Sequence, residues 1–482
     1  MNKINKSKVA LGILSVVMST SVLATTEMHE LTDAELSEQT GQALLSLGYT
    51  NPSATGEGKN TSDYGFYKLG LEAKVELNAN IKNLQLGCGG TNGAGACDID
   101  MSNVSLSGLP DGRLADGTAT WSKDRPSTSA EITNPFLEFA IKNPNSASTR
   151  EVTGFRLSAE KIMGYLSAGT DNIANPTDGI KSFSGFIKVA KTPVNAFTKE
   201  AFFGTTEDQR IFAKITALGL FPTTVFTDAS SMQSSTNGGS PWGIKVPSQK
   251  VQFDFPETIV SGNRMSQLNL VVQDVPIPTI SIGADNGAIK MLLDEPISLL
   301  FGAIYADKAT FYMGEKDTTS AGCAANRNTK NCSYIDNLKA NVTVKQNFNL
   351  IHNLPITSGG YLSLQSEKIK WPGSDAADVA QPGFWLSFKD PLDFGALNPT
   401  SGIGMDDVLP QIATFITNYL SQNNIDLDLA KTFDAITGAP IYKGIGAITL
   451  ADNARAVMTL SNLLLDSNQK PVSNCYGGLK FC

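Results

Sequence analysis

From Tyr64 onward, apolar side chains recur at every second position. Phe66, Lys68, Gly70, Glu72 and Lys74 alternate with Tyr67, Leu69, Leu71, Ala73 and Val75. A period of two sends successive side chains to opposite faces, so the stretch reads as a half-buried β-strand. Ile81, Leu84 and Leu86 then lead into the loop CGGTNGAGAC, and Ile99, Met101, Val104 and Leu106 follow it, as in a β-hairpin. Further strands are expected at 135–142, 152–159, 182–189, 210–219, 249–255, 266–273, 277–282, 309–313, 338–350, 360–370, 383–389, 444–450 and 455–465. Turn-forming Gly, Asn, Ser and Thr are spread between them. The expected fold is mainly β: many short antiparallel strands in a sandwich-like or elongated sheet, with one or two amphipathic helices. A short phrase recurs at Asn83–Leu86, Asn103–Leu106 and Asn462–Leu465. Its spacing is too irregular to define a solenoid, which leaves a parallel β-helix or an outer-membrane β-barrel as the alternative.

Two segments carry the helical period instead. Residues 31–47 (LTDAELSEQTGQALLSL) open with Thr32, Asp33 and Glu35 at capping-box spacing and supply Leu36, Ala43, Leu44 and Leu47, with Gly41 weakening the middle. The second, 406–421, starts with Asp406 and Asp407, where a helix dipole favours acids. Pro410 falls in its first turn, where a missing N–H costs little. Val408, Leu409, Ile412, Phe415, Ile416, Tyr419 and Leu420 form one stripe, suited to packing on a sheet.

The six cysteines fall into three sequence-local couples. Locality favours Cys88–Cys97, Cys323–Cys332 and Cys475–Cys482, each closing a loop of about ten residues worth roughly 2–3 kcal/mol. Zinc sites want shorter spacings and histidine help, and this chain has two histidines.

Disulfides require an oxidising compartment, and the N-terminus supplies a route to one. Lys3, Lys6 and Lys8 precede the apolar run Val9–Val17, and Val22-Leu23-Ala24 completes a secretory leader with cleavage expected after Ala24. The run is shorter than the roughly 20 apolar residues of a membrane anchor. Removing it takes away three lysines and no acid, so the formal charge of −8 becomes −11. Such a chain repels nucleic acid and anionic membrane surfaces, and neither is an expected partner. The expected organisation is a leader at 1–24, a helix and linker at 25–63, a β-rich body at 64–400, and a helix with disulfide-closed strands at 401–482.

The residues point to no catalytic centre, cofactor or metal. His29 lies just past the expected cleavage point, and His352 sits in a strand-like stretch where a structural role fits. No nucleophile elbow, zinc-protease helix or phosphate loop is present. Asp98 and Asp100, and Asp426 and Asp428, are acids at i, i+2, the spacing of a solvated strand face; convergence in a cleft is what a carboxylate hydrolase would need. Trp121, Trp242, Trp371 and Trp385 are scattered along the chain.

The stretch Leu31-Thr32-Asp33-Ala34-Glu35-Leu36-Ser37-Glu38-Gln39-Thr40-Gly41-Gln42 resembles the L-x-D-x-E-L-S-x-x-x-G-Q opening of a group of secreted Gram-negative proteins that includes the FilA-like proteins of a pilus-assembly system. Leu86–Asn92, Cys97–Asp100 and Asn175–Ile180 also look like that group. The resemblance covers the first 190 residues and implies a surface or pilus-related role without a mechanism. The chain lacks the Gly-Phe-x-x-x-Glu of type IV subunits and the alternating C-terminal strand of donor-strand subunits. An accessory, tip or surface-associated part therefore fits better than a shaft subunit. The sequence leads to a non-enzymatic structural or adhesive protein of a pilus-like system, exported to the periplasm, outer-membrane surface or pilus, with other surface proteins as partners. An outer-membrane barrel, or an exported carboxylate-based hydrolase or ligand carrier, is the alternative.

Overall fold

The computed structural model describes residues 45–50, 64–90, 93, 95–203, 206–227, 244–283, 285, 288–299, 304–326, 331–465 and 468–482. They belong to one compact unit, Leu45–Cys482. The leader, the Ala24 cleavage point, His29, Trp242 and residues 31–44 of the expected first helix lie outside the described residues. Leu45–Thr50, the end of that expected helix and the start of the expected linker, is a β-strand. Its side chains pair across Tyr64–Leu71, and that sheet contact overrides the local helical period.

The protein is mainly β. Nine strands of the largest sheet matter here: β1 Leu45–Thr50, β2 Tyr64–Leu71, β3 Ala79–Leu86, β4 Ile99–Ser107, β5 Ala130–Lys142, β6 Glu151–Ala168, β7 Gly179–Val189, β8 Gly360–Gln365 and β9 Gly383–Leu392. Strand β6 is 18 residues long and is shared between two arrangements. Its first part pairs with β5 on one side and β8 on the other. Its last residues pair with β4 on the β5 side. Since β8 pairs β9, β9 pairs β7 and β7 pairs β4, five strands close into a small barrel, and β5, β2 and β1 extend from it as an open sheet.

Glycine is required where the ring closes. At Gly164, where β5 gives way to β4, a Cβ would lie 2.7 Å from Ala130 Cβ and 3.1 Å from Leu106 Cδ1. At Gly185 the parallel β7–β9 pair comes so close that a Cβ would collide with the Leu386 carbonyl oxygen. The ring has fewer strands than the eight of the smallest membrane barrels. It is packed with Ile99, Met101, Val104, Ala168, Phe183 and Ile187, in one cluster with the rest of the core.

Next to the β4–β5–β6 junction lies the buried guanidinium of Arg125. It donates to Ser107 Oγ (2.9 Å), Ser167 Oγ (2.8 Å), Tyr165 O (3.3 Å) and the Val472 carbonyl. Burial lowers its pKa to about 10. This cation ties the C-terminal tail to the barrel.

The remaining described residues form a six-stranded half-barrel, two three-stranded sheets and three two-stranded ones. Several late strands return parallel to earlier ones, such as Arg455–Ser461 beside Lys339–Asn347 and Gly446–Thr449 beside Ser333–Asp336. Three α-helices stand among the described residues. Helix α1, Ser320–Ala325, is capped by Thr319 and holds the buried Cys323. Helix α2, Leu409–Gln422, matches the expected 406–421 element; it buries Leu409, Ile412, Ala413, Ile416 and Leu420 and packs against the Phe212–Ala217 strand. Helix α3, Leu429–Thr437, was not expected. Asp428 caps its start by accepting from Lys431 N at 2.8 Å, and Gly438 ends it at φ 80°.

The three disulfides are Cys88–Cys97, Cys323–Cys332 and Cys475–Cys482. They fit an oxidising, exported environment. Among the described residues no helix is long and apolar enough to cross a membrane.

Candidate functional site

The two faces of the open sheet differ in chemistry. On one face, registered pairs place Tyr49, Tyr67, Phe139 and Phe155 in one row and Leu47, Leu69, Leu137 and Leu157 in the next. Leu45 and Leu71 extend the patch. None of these positions is charged. Leu47 is 85% exposed and Leu157 55%, while Leu137, Phe139 and Phe155 are half-buried. This is the row that the alternation at Tyr67, Leu69 and Leu71 marks as apolar, and it faces outward. The Tyr49 and Tyr67 ring centroids are 4.6 Å apart. Among the described residues β1 pairs with β2 alone, so its outer edge is free.

The opposite face is covered. Residues 366–382, between β8 and β9, cross it as a strap. Ile369, Trp371 and Ala380 of the strap bury Tyr64, Phe66, Ala140, Phe186, Tyr361 and Trp385 in an aromatic cluster apart from the main core. The fold thus brings together Trp371 and Trp385, which the sequence shows only as isolated residues; Trp121 stands elsewhere, donating to Gly108 O at 3.0 Å. Ion pairs pin the strap near its start and at its middle: Lys142–Glu367 at 2.8 Å, with Tyr64 Oη donating to Glu367 at 2.6 Å, and Lys188–Asp375 at 2.6 Å.

Under the strap lies a charged layer that sequence reasoning missed. Arg156 Nε donates to Glu138 Oε2 at 2.7 Å, with both side chains buried, and Arg156 Nη2 donates to Pro372 O at 2.7 Å. The guanidinium carbon stands 5.3–5.5 Å from the ring centroids of Phe136, Tyr361 and Trp371, a cation–π arrangement. Asp378, 1% exposed, accepts from Tyr361 Oη (2.7 Å), Trp385 Nε1 (3.0 Å) and Ser387 Oγ (2.6 Å). Burial, reinforced by Asp378, pushes the Tyr361 hydroxyl well above its usual range. Burial also raises the Glu138 carboxyl, against the pull of Arg156. One signal in the sequence does point here: Glu138 and Arg156 are opposite charges inside neighbouring apolar strands, at 135–142 and 152–159.

A cleft of about 200 Å³ opens beside this layer, between the strap and the β5–β6–β8 strands. Phe136, Arg156, Glu160, Tyr361 and Asp375 are among its walls.

The residues weighed from sequence lie elsewhere and do not converge. Asp98 is buried at the barrel rim, accepting from Phe384 N at 3.0 Å and standing 3.4 Å from Arg264. Asp100 accepts from Gln85 Nε2 at 3.2 Å. Asp426 belongs to a half-barrel strand and Asp428 caps α3. His352 is fully buried with Nδ1 2.9 Å from Ala168 O, and burial lowers its pKa. Among the described residues no group of three His, Cys, Asp or Glu stands ready for a metal ion. Comparison with protein-family models, characterised proteins and solved structures finds no match.

Proposed function

We propose that the protein is a non-enzymatic, exported structural or adhesive component of a pilus-like surface system, and that it works by docking other surface proteins on its open sheet. The observation that carries this reading is the uncharged patch of Leu, Tyr and Phe rows on β1, β2, β5 and β6, ending in a strand edge that has no partner among the described residues. Contiguous apolar patches of this kind mark interaction surfaces. A free edge offers main-chain hydrogen bonds to a partner strand, while side-chain rows give selectivity. The three disulfides and the resemblance of the opening segment to secreted FilA-like proteins support the same role.

The test is a pair of charge substitutions, Leu47→Asp with Leu69→Asp. Leu47 is 85% exposed and Leu69 43%, and they face each other across the β1–β2 pair, so the two carboxylates should together cost about 1–2 kcal/mol, and a cooperative thermal transition checks that the variant is folded. Surface labelling of intact cells should find the wild-type protein outside, and the variant strain should lose appendage assembly or attachment to the same degree as a deletion strain. Normal appendages and normal attachment in the deletion strain would refute the proposal.

A further inference from the structure

We propose that the uncharged face of the open sheet is a self-association surface, on which the same face of a second copy of this chain packs as the missing layer of a β-sandwich. The inference rests on the docking reading above and names its first partner. The first observation is continuity with the core. The row of Leu47, Leu69, Leu137 and Leu157 runs on in register through Leu362 of β8 and Leu386 of β9. The row of Tyr49, Tyr67, Phe139 and Phe155 runs on through Leu364 and Phe384. Leu362, Leu386 and Phe384 pack against the main core. One face of one sheet is therefore covered over β8 and β9, and among the described residues it is bare over β1 and β2. An apolar sheet face needs another layer. A second sheet supplies it at a spacing of about 10 Å, with the strands nearly aligned.

The second observation is area. Leu45, Leu47, Tyr49, Tyr67, Leu69 and Leu157 are each 40–85% exposed, as is Val152, which joins the face through its pairing with Ile141. At roughly 200 Å² for a fully exposed large side chain, these seven together present roughly 750 Å². A standard interface takes roughly 800 Å² from each partner, so this face matches what a stable dimer needs from one side.

The third observation is composition. Transient interfaces are about as polar as the rest of a protein surface, whereas homodimer interfaces are more apolar, with charges depleted from the centre and aromatic side chains enriched. The rows of this face carry no charge, and the next registered row, Lys74, Thr133 and Lys161, is polar like an interface rim. The chain has a formal charge of −8, which opposes contact between copies over most of the surface. On this face two copies meet without setting acid against acid. Under two-fold symmetry the same patch serves both copies, and the outer edge of β1 stays open to a partner strand.

The experiment is sedimentation velocity on the exported, disulfide-intact protein between about 1 and 100 µM. A reversible dimer with a Kd of about 10 µM or tighter is expected. Leu47→Asp and Leu157→Asp, tested separately, should each raise that Kd roughly tenfold or more, because symmetry brings every added carboxylate into the interface twice. Leu220→Asp, at a 75% exposed turn of the half-barrel, should leave it unchanged. A cooperative thermal transition checks that each variant is folded. A monomer at about 100 µM, or a dimer that neither patch variant weakens, would overturn the proposal. So would a monomer that floats with phosphatidylcholine vesicles, since a bilayer would then be the occupant. Any of these results leaves the docking reading standing if Leu47→Asp with Leu69→Asp still abolishes assembly on the cell. Normal appendages in a deletion strain would remove that reading and leave the dimer untouched.

Discussion

Removing one partner of the Arg156–Glu138 pair should cost far more than removing both. The side chains are 7% and 4% exposed and meet at 2.7 Å, so each ion relies on the other for the solvation it lost. Glu138→Leu leaves a guanidinium that cannot shed its proton, buried among three rings. That single change should cost about 3–5 kcal/mol. Arg156→Met also forfeits the bond to Pro372 O, yet Glu138 has an escape that Arg156 lacks: it can bind a proton.

The sign follows from the direction of its shift. Burial raises the Glu138 carboxyl above its ordinary value of 4.5, and losing Arg156 raises it further. A raised carboxyl favours the folded state below the unfolded pKa, and that advantage disappears as pH climbs through the folded value. Arg156→Met should therefore be less damaging at pH 5 than at pH 8, whereas Glu138→Leu should show no such slope. The double variant should recover about 3 kcal/mol relative to the sum of the singles. Urea unfolding followed by tryptophan fluorescence, with disulfides intact, measures all four proteins at both pH values. Additive single effects, or an Arg156→Met variant insensitive to pH, would refute the reasoning.

Other expectations follow from the same geometry. Gly185→Ala forces a Cβ onto the Leu386 carbonyl and should destabilise by about 3 kcal/mol or more, whereas Gly359→Ala, with nothing within 4 Å, should be near neutral by the same urea titration. Converting Cys323 and Cys332 together to Ser releases a ten-residue loop and should cost roughly 2.7 kcal/mol in the chain-entropy picture; an unchanged unfolding midpoint would count against it. Hydrogen bonds from Lys470 and Lys480 hold the Asp116 and Asp171 carboxyls below their ordinary value. Their contribution is present above about pH 4 and lost as pH falls through the depressed values. Hydrogen exchange, corrected for intrinsic rates, should then show residues 468–482 loosening before the barrel in strong acid, near pH 1; equal protection there and at pH 6 would contradict this.

Several elements were legible because the signal was local. Alternation located β2, β5, β7 and β9, and an acidic start, an early proline and one apolar stripe located α2. Helix α3 was missed although Asp428 and Gly438 mark its ends, because nine residues are too few for the helical period to stand out beside the Asp426–Asp428 spacing. Strand β1 was misread because its residues fit a helical stripe equally well until β2 lies beside them. The candidate site was mostly illegible. Asp378 receives its bonds from Tyr361, Trp385 and Ser387 only because the strap turns back over β8 and β9.

Chain pattern alone determined that this protein is built from strands, that its cysteines close local loops, and that the row Tyr67-Leu69-Leu71 is apolar. Whether that row is covered is a different matter, because alternation defines two faces and is silent on which one the rest of the chain will occupy. Tertiary structure decided it: the strap takes Phe66 and Trp371 to one side of the sheet and leaves Leu47 and Leu69 in water on the other. The parallel β7–β9 pair and the closure of the barrel were decided the same way, by contacts between residues some 200 positions apart for which no local signal exists.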